Sequence, residues 1–350
     1  MNASLCSTSV LRYSLGIDVS KDNFNACLCS LRQDLQQLVV ASATFDNHLK
    51  GFRKLLTWLH KHCVDKHAEM VVVMEASGVY HEQLAYFLDE HGKQLCVLLA
   101  NRVKAYARSL KYKSKTDAID AQVLARLGLE RNLPKWQAPS EALLQLKQLM
   151  RERHKLKQDA TRLKNQLHAM KHRQVCNPVV KKLAQTRLKF INDQIKKIDD
   201  AARKLVQQDA ELRQNVMLLQ SIPGVGLLTA LTVLAETNNF ALFTSRAQLA
   251  SYAGYDVCHH ESGSSVKRKG RISKKGNVYL RTAMHFPALT AIKYAPEMGA
   301  LYERIYDRTK VKMKGCVAVQ RKLLLLMFTL VKNQQTYQPH YQRQQLLQAI

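Results

Sequence analysis

Residues 69–75 read Glu-Met-Val-Val-Val-Met-Glu, and this run constrains the fold more than any other. A short apolar stretch closed by an acid at each end fits a strand buried on both faces, as in the middle of a parallel sheet. Strand and helix patterns alternate around it from residue 10 to 135. Tyr13 to Cys29 reads as a strand, a tight polar turn and a second strand, and Leu38 to Phe45 as a third. Asn47 to His62 carries Phe52, Leu55, Leu56 and Leu59 on one helical face. After Glu69–Glu75 come a helix (His81 to His91), a strand (Gln94 to Leu99) and two helices (Asn101 to Leu110, Thr116 to Glu130). The order βββαβαβα predicts a mixed α/β sheet.

That order is also the order of the ribonuclease H-like fold. Pro134 and Pro139 close the segment, and from Glu141 the chain turns helical, polar and basic. Leu149, Leu156, Leu163 and Met170 recur every seven residues, interleaved with Leu146, Arg153, Ala160 and Leu167. A second stripe runs through Leu188, Ile195 and Ala202, interleaved with Ile191, Ile198 and Leu205. Two structures satisfy such heptads: an antiparallel hairpin within one chain, or a dimerising coiled coil. Further on, Gly224-Val225-Gly226 separates two helical patterns within 218–236, as in a helix-hairpin-helix whose glycines let the backbone approach a phosphate. A helix over Ser245–Ala253, a polar glycine-rich loop over Gly254–Asn277 and apolar helices over Val278–Ala295 and Gly315–Val331 follow. The expected organisation is an α/β domain at 10–136, a helical coiled-coil region at 141–210 and a mainly α domain at 211–335.

Charge narrows the function. Lys and Arg number 54 against 27 Asp and Glu, a net +27 with a pI near 9.9. So basic a chain expects a polyanion, and nucleic acid before a membrane surface. Fourteen of the basic residues fall between 151 and 200 and would meet an RNA or DNA backbone. The longest apolar run, Leu323 to Val331, is too short to span a bilayer. The N-terminus has no basic region leading into an apolar stretch, so no signal peptide is expected. Eight cysteines are scattered without a CxxC pair, which suits reduced thiols in the cytoplasm.

Acids are scarce here, so those with apolar flanks are informative. Asp18 follows Leu15-Gly16-Ile17 at the end of the first strand, and Glu75 ends the buried one. Asp117 and Asp120 lie one helical turn apart in KTDAIDA. Each alone reads as readily as a cap or an ion-pair partner. Converging, they would repel one another, and hard cations such as Mg²⁺ or Mn²⁺ would neutralise them. Two such ions about 4 Å apart stabilise in-line attack at phosphorus.

A second constellation lies at 259–276. No acid occurs between Glu261 and Glu297, and seven Lys or Arg fall between Val266 and Arg281. Lys267, Arg268, Lys269, Arg271, Lys274 and Lys275 are candidate phosphate contacts, with Gly224 and Gly226 from the hairpin. Read by itself the segment is a solvated basic loop. Its serines beside a phosphate-binding cluster are also where a nucleophile for phosphodiester chemistry would sit, given a base or metal to activate it.

GIDVSK at 16–21, MEASGVY at 74–80, KTDAIDA at 115–121, SIPGVG at 221–226 and ESGSS at 261–265 together resemble the DEDD-type bacterial insertion-sequence transposases, a family that includes the Piv-like DNA invertases. The likeness runs from about residue 13 to 330 in the family's order. It implies a RuvC-like N-terminal domain joined by a helical coiled-coil region to a C-terminal transposase domain. It implies a metal-binding tetrad at Asp18, Glu75, Asp117 and Asp120, holding Mg²⁺ or Mn²⁺. It also implies a serine nucleophile at Ser262. The resemblance further implies a site-specific recombinase guided by a structured RNA from the element's own end. Expected partners are therefore double-stranded DNA, a guide RNA and further copies of the chain, since strand exchange needs paired cuts, and the site of action is the nucleoid. The alternative is a hydrolytic, RuvC-like junction nuclease with Ser262 a bystander.

Overall fold

The computed structural model describes residues 9–76, 78–110, 116–262 and 266–339, with the backbone alone at 101, 259–262 and 266–269. The chain divides into two compact units, residues 1–138 and 139–350.

The first unit is built on a five-stranded sheet. Its strands are β1 (Val10–Val19), β2 (Asn23–Arg32), β3 (Gln37–Asp46), β4 (Glu69–Glu75) and β5 (Gln94–Leu98), in the order β3-β2-β1-β4-β5. β1, β2 and β3 form an antiparallel meander, and β4 and β5 add in parallel on the other side of β1. A meander extended by two parallel strands is the mixed α/β sheet that the strand and helix pattern predicts. The residues alternate as strand geometry demands. Leu15, Ile17, Val72 and Met74 face Phe52 and Leu55 of α1 (Leu49–His62) and Leu84 and Leu88 of α2 (Glu82–Glu90). Val71 and Val73 face the opposite side, with Val123, Leu124 and Leu127 of α4 (Asp117–Glu130). α3 (Ala100–Ser109) lies between β5 and α4 in sequence and adds Val103 to that layer.

Glycine sets how closely α4 lies on the sheet. A Cβ at Gly16 of β1 would collide with the Ala121 carbonyl and the Ala125 nitrogen of α4. One turn and a half later, a Cβ at Gly128 would meet the Ser14 side chain and, at 2.7 Å, Val73. α4 therefore runs antiparallel to β1, its first turn at the end where β1 finishes. Thr116 starts the helix by accepting the Ile119 N–H at 3.3 Å, and Asp117 and Asp120 in that turn complement the helix dipole.

The second unit begins with two 31-residue helices, α5 (Glu141–Lys171) and α6 (Pro178–Gln208). They fold back as an antiparallel hairpin, burying Ala160, Leu163, Ala184, Ile195 and Ala202. The Arg at a heptad core position is explained by this pairing: Arg153 Nε donates to Asp199 Oδ1 of α6 at 2.6 Å. The hairpin gives the two stripes a partner within one chain. Leu143, Leu146 and Met150 of α5 and Ala202 and Val206 of α6 continue into the core of a helical bundle. The bundle comprises α7 (Ala210–Gln220), α8 (Leu227–Thr237), α9 (Arg246–Ala253), α10 (Val278–Ala283), α11 (His285–Tyr294), α12 (Pro296–Thr309) and α13 (Lys312–Asn333). Among the described residues no helix is long and apolar enough to cross a membrane.

Two expectations are corrected. The glycine-rich segment 254–277 is not a loop but holds a two-stranded antiparallel ribbon, β6 (Val257–Ser262) and β7 (Val266–Ile272), in which Val257 opposes Ile272 and Ser262 opposes Val266. Its strands are too polar and too cationic to announce themselves, because strand preference depends on cross-strand partners that sequence does not display. The apolar helix read over 278–295 is broken at Met284 into α10 and α11, and α12 fills a segment the pattern left blank.

A buried ion pair ties α5 to this bundle. Glu236, 1% exposed, accepts from Arg151 Nε at 2.7 Å and Nη2 at 2.9 Å, and from Asn277 Nδ2 at 2.7 Å. Arg151→Met leaves that carboxylate buried without its cation. We expect a loss of about 3 kcal/mol in the urea unfolding of this unit, and a smaller one for Arg151→Met with Glu236→Leu. Equal losses would mean the pair adds nothing specific.

Candidate active site

Asp18 is the penultimate residue of β1 and Glu75 the last of β4. The parallel register pairs Ile17 with Met74, so the next residue on each strand is Asp18 and Glu75. By strand alternation Asp18 shares a face with Ser14 and Gly16, and Glu75 with Val71 and Val73, which is the face α4 covers. The first turn of α4 lies over that end of the sheet. Asp120 is half-buried there, like Asp18 and Glu75, and Asp117 is exposed. The fold thus brings towards one edge four acids that span 102 positions of the chain, from Asp18 to Asp120.

The donor set is all carboxylate oxygen, without thiolate or imidazole, which suits a hard divalent cation rather than zinc. Among the described residues no three His, Cys, Asp or Glu side chains are already closed around a cation-sized position. Beneath α4, Cys27 opposes Gly16 on β2, its Sγ 3.8 Å from that of Cys29. The hydrogen bond with Cys29 holds the Cys27 thiol down to about 7, against the effect of burial, with Ser42 and Arg126 also lowering it. The same contact and burial push Cys29 up.

Ser262 belongs to the other unit. Its backbone is the last residue of β6. Its side chain, like those of Lys267, Arg268 and Lys269, lies outside the described residues, as do Gly263, Ser264 and Ser265 altogether. Two competing hydroxyls are described. Ser273 donates to Asp256 Oδ1 at 2.6 Å and accepts the Lys275 N–H at 3.2 Å, which ties the foot of the ribbon. Tyr255 is 1% exposed, donates to Gln320 Oε1 at 3.0 Å, and burial pushes its phenol up. Both hydroxyls are engaged by side-chain partners. Arg271, Lys274 and Lys275 are exposed at the same foot.

The two hairpin glycines differ. Gly224, at φ +92°, faces α11: a Cβ there would lie 2.8 Å from the Pro287 carbonyl and 2.9 Å from Thr290. Its bareness serves packing. Gly226 caps α8 and has nothing within 4 Å of where a Cβ would be, so its end of the turn is the accessible one. Sequence reasoning missed Glu236, an acid closing an apolar run like Glu75. The same signal marks both, and only the partner, Arg151, shows that Glu236 is structural. It also passed over the cations of α12 and α13.

Two family models match, a DEDD transposase model of the IS110 type over residues 15–172 and a transposase model of the IS116/IS110/IS902 family over 216–303. The pilin gene-inverting protein of Moraxella bovis is 28% identical over 92% of this chain and 97% of its own length. The transposase of insertion element IS1111A of Coxiella burnetii is 33% identical over 37% of this chain and 36% of its own. Among solved structures, Thermus thermophilus RuvC bound to a Holliday junction aligns with 35% of this chain and 99% of its own at 10% identity and a TM-score of 0.27. The two family models define a transposase of the DNA-recombining class. The chain belongs to the IS110-type family of insertion-sequence transposases.

Proposed function

We propose that the protein is a transposase that recombines DNA by strand exchange through a phosphoserine at Ser262, assisted by Mg²⁺ or Mn²⁺ at Asp18, Glu75, Asp117 and Asp120. The observation that carries this reading is the placement of Asp18 and Glu75 side by side on parallel strand ends under the turn that bears Asp117 and Asp120. A bound divalent cation supplies charge neutralisation at the phosphoryl oxygens and at the departing oxygen. The four carboxylates would hold it and orient the phosphodiester. The Ser262 Oγ would form a bond to phosphorus while the bond to one flanking deoxyribose oxygen breaks. The serine proton would end on that oxygen, relayed by a carboxylate or water. Attack by the incoming strand's hydroxyl reverses each change and releases the serine.

Lys267, Arg268 and Lys269 would hold the phosphates beside Ser262 and offset charge in the transition state. The basic α5–α6 hairpin would meet duplex DNA and a guide RNA, with Gly226 and its neighbours contacting backbone. Metal-binding acids and nucleophile lie in different units, and strand exchange needs paired cuts, so the working form would be a homo-oligomer acting at the nucleoid. The test is a trapped adduct. Protein incubated with element-end DNA and Mg²⁺, then digested and analysed by mass spectrometry, should carry a nucleotide phosphate on Ser262. Cleavage without any adduct would show hydrolysis instead.

A further inference from the structure

A cavity of about 2000 Å³ opens on the second unit between the β6–β7 ribbon, α12 and α13. That is about twice the upper range for small-molecule sites, and suits a polymer. Its rim is cationic, with Arg246, Arg271, Arg308, Lys314, Arg321 and Lys322. Among the described residues none of these six forms an ion pair. The acids that line the cavity are engaged by hydroxyls: Asp256 with Ser273 and Glu297 with Tyr337, each at 2.6 Å. So many like charges on one rim repel one another, and a bound polyanion relieves that repulsion.

The floor differs from the rim. Leu301, Ile305, Val317, Leu325 and Leu326 line it half-buried, and all but Ile305 rest on the bundle core. A duplex stacks its bases inside and shows phosphate and sugar outside, so it would leave such a floor wet. An unpaired strand can turn its bases onto an apolar surface while its phosphates follow a cationic rim. One wall is β7, whose partner strand ends at Ser262.

We propose that this groove holds a segment of single-stranded DNA, its phosphates on the rim and its bases on the leucine floor. The choice of DNA rests on the recombinase reading, because a strand attached to or leaving Ser262 would run along the ribbon into this groove. Cationic rim and apolar floor are both needed, which separates the groove from the solvated basic surface elsewhere on the chain.

The test uses the full chain and fluorescence anisotropy with labelled oligo-dT of about 16 nucleotides, a mixed-sequence duplex, and oligo-U of equal length, over about 50 to 200 mM salt. Arg308→Glu with Arg321→Glu and Lys322→Glu should weaken oligo-dT at least about tenfold and flatten its salt slope by about 2. Duplex binding should change far less. Leu325→Gln with Leu326→Gln should weaken oligo-dT about tenfold with the slope unchanged, since no phosphate contact is lost. Equal losses on duplex and single strand, or no loss on either, would overturn the proposal. Oligo-U bound more tightly than oligo-dT through the same residues would overturn the assignment to DNA. Displacement of oligo-dT by an oligo-glutamate peptide, unaffected by the leucine substitutions, would mark a site for an acidic protein segment. Failure of the recombinase reading looks different, with normal oligo-dT binding and no adduct on Ser262.

Discussion

Asp18→Ala, Glu75→Ala and Asp120→Ala should each lower recombination by about 10³-fold or more, with DNA and RNA affinity close to that of the unaltered protein. The expectation follows from position. Asp18 and Glu75 finish neighbouring parallel strands on the face beneath α4, and Asp120 sits half-buried in that helix's first turn. Thr116, not an aspartate, caps α4. Asp117, the most exposed of the four, should show the smallest loss. Activity should vanish in chelator and return with Mg²⁺ or Mn²⁺. Recombination assays with purified variants and matched binding titrations measure both. Undiminished exchange in chelator would remove the metal assignment.

Ser262→Ala should stop strand exchange completely while complexes with DNA still assemble. Ser264→Ala and Ser265→Ala should retain measurable exchange. Gly263 beside Ser262 leaves the backbone free to present the hydroxyl to a phosphate, and the basic run begins at Lys267, which opposes Glu261 across the ribbon. Ser262→Cys should retain only traces, because a thiolate is nucleophilic but pairs poorly with a hard cation. The described hydroxyls nearby are poor rivals: Ser273 is tied to Asp256 and Tyr255 is buried against Gln320. Exchange at an ordinary rate in Ser262→Ala would move the nucleophile elsewhere. Cleavage without rejoining would favour the hydrolytic junction-nuclease chemistry.

Much of the first unit was legible because its signals are local. The run Glu69–Glu75 matches β4 residue for residue, since an apolar strand between two acids has few other places to go. The helical face of Phe52, Leu55 and Leu59 is buried on the sheet. The heptads of α5 and α6 announced helices, but not whether their partner lay in the same chain. That was decided by Arg153, whose partner Asp199 is contributed by α6. The ribbon of β6 and β7 was illegible for the opposite reason. Its strands alternate no apolar face, and only Val257, Val266 and Ile272 are β-branched residues typical of strands.

By itself the sequence determined the element order of the first unit, the basic character of the whole chain and the identity of the acids worth watching. Each of these is written within a few residues, as a period, a charge or an apolar flank. Tertiary structure alone decided which acids neighbour one another. Glu75 and Glu236 both close apolar runs, yet one ends beside Asp18 and the other is gripped by Arg151 and Asn277. It alone decided that Gly224 serves packing while Gly226 stays open. It alone gathered cations from α9, β7, α12 and α13 around one apolar floor. A carboxylate's role depends on which charge stands opposite it, and that neighbour comes from a distant part of the chain that local pattern cannot name.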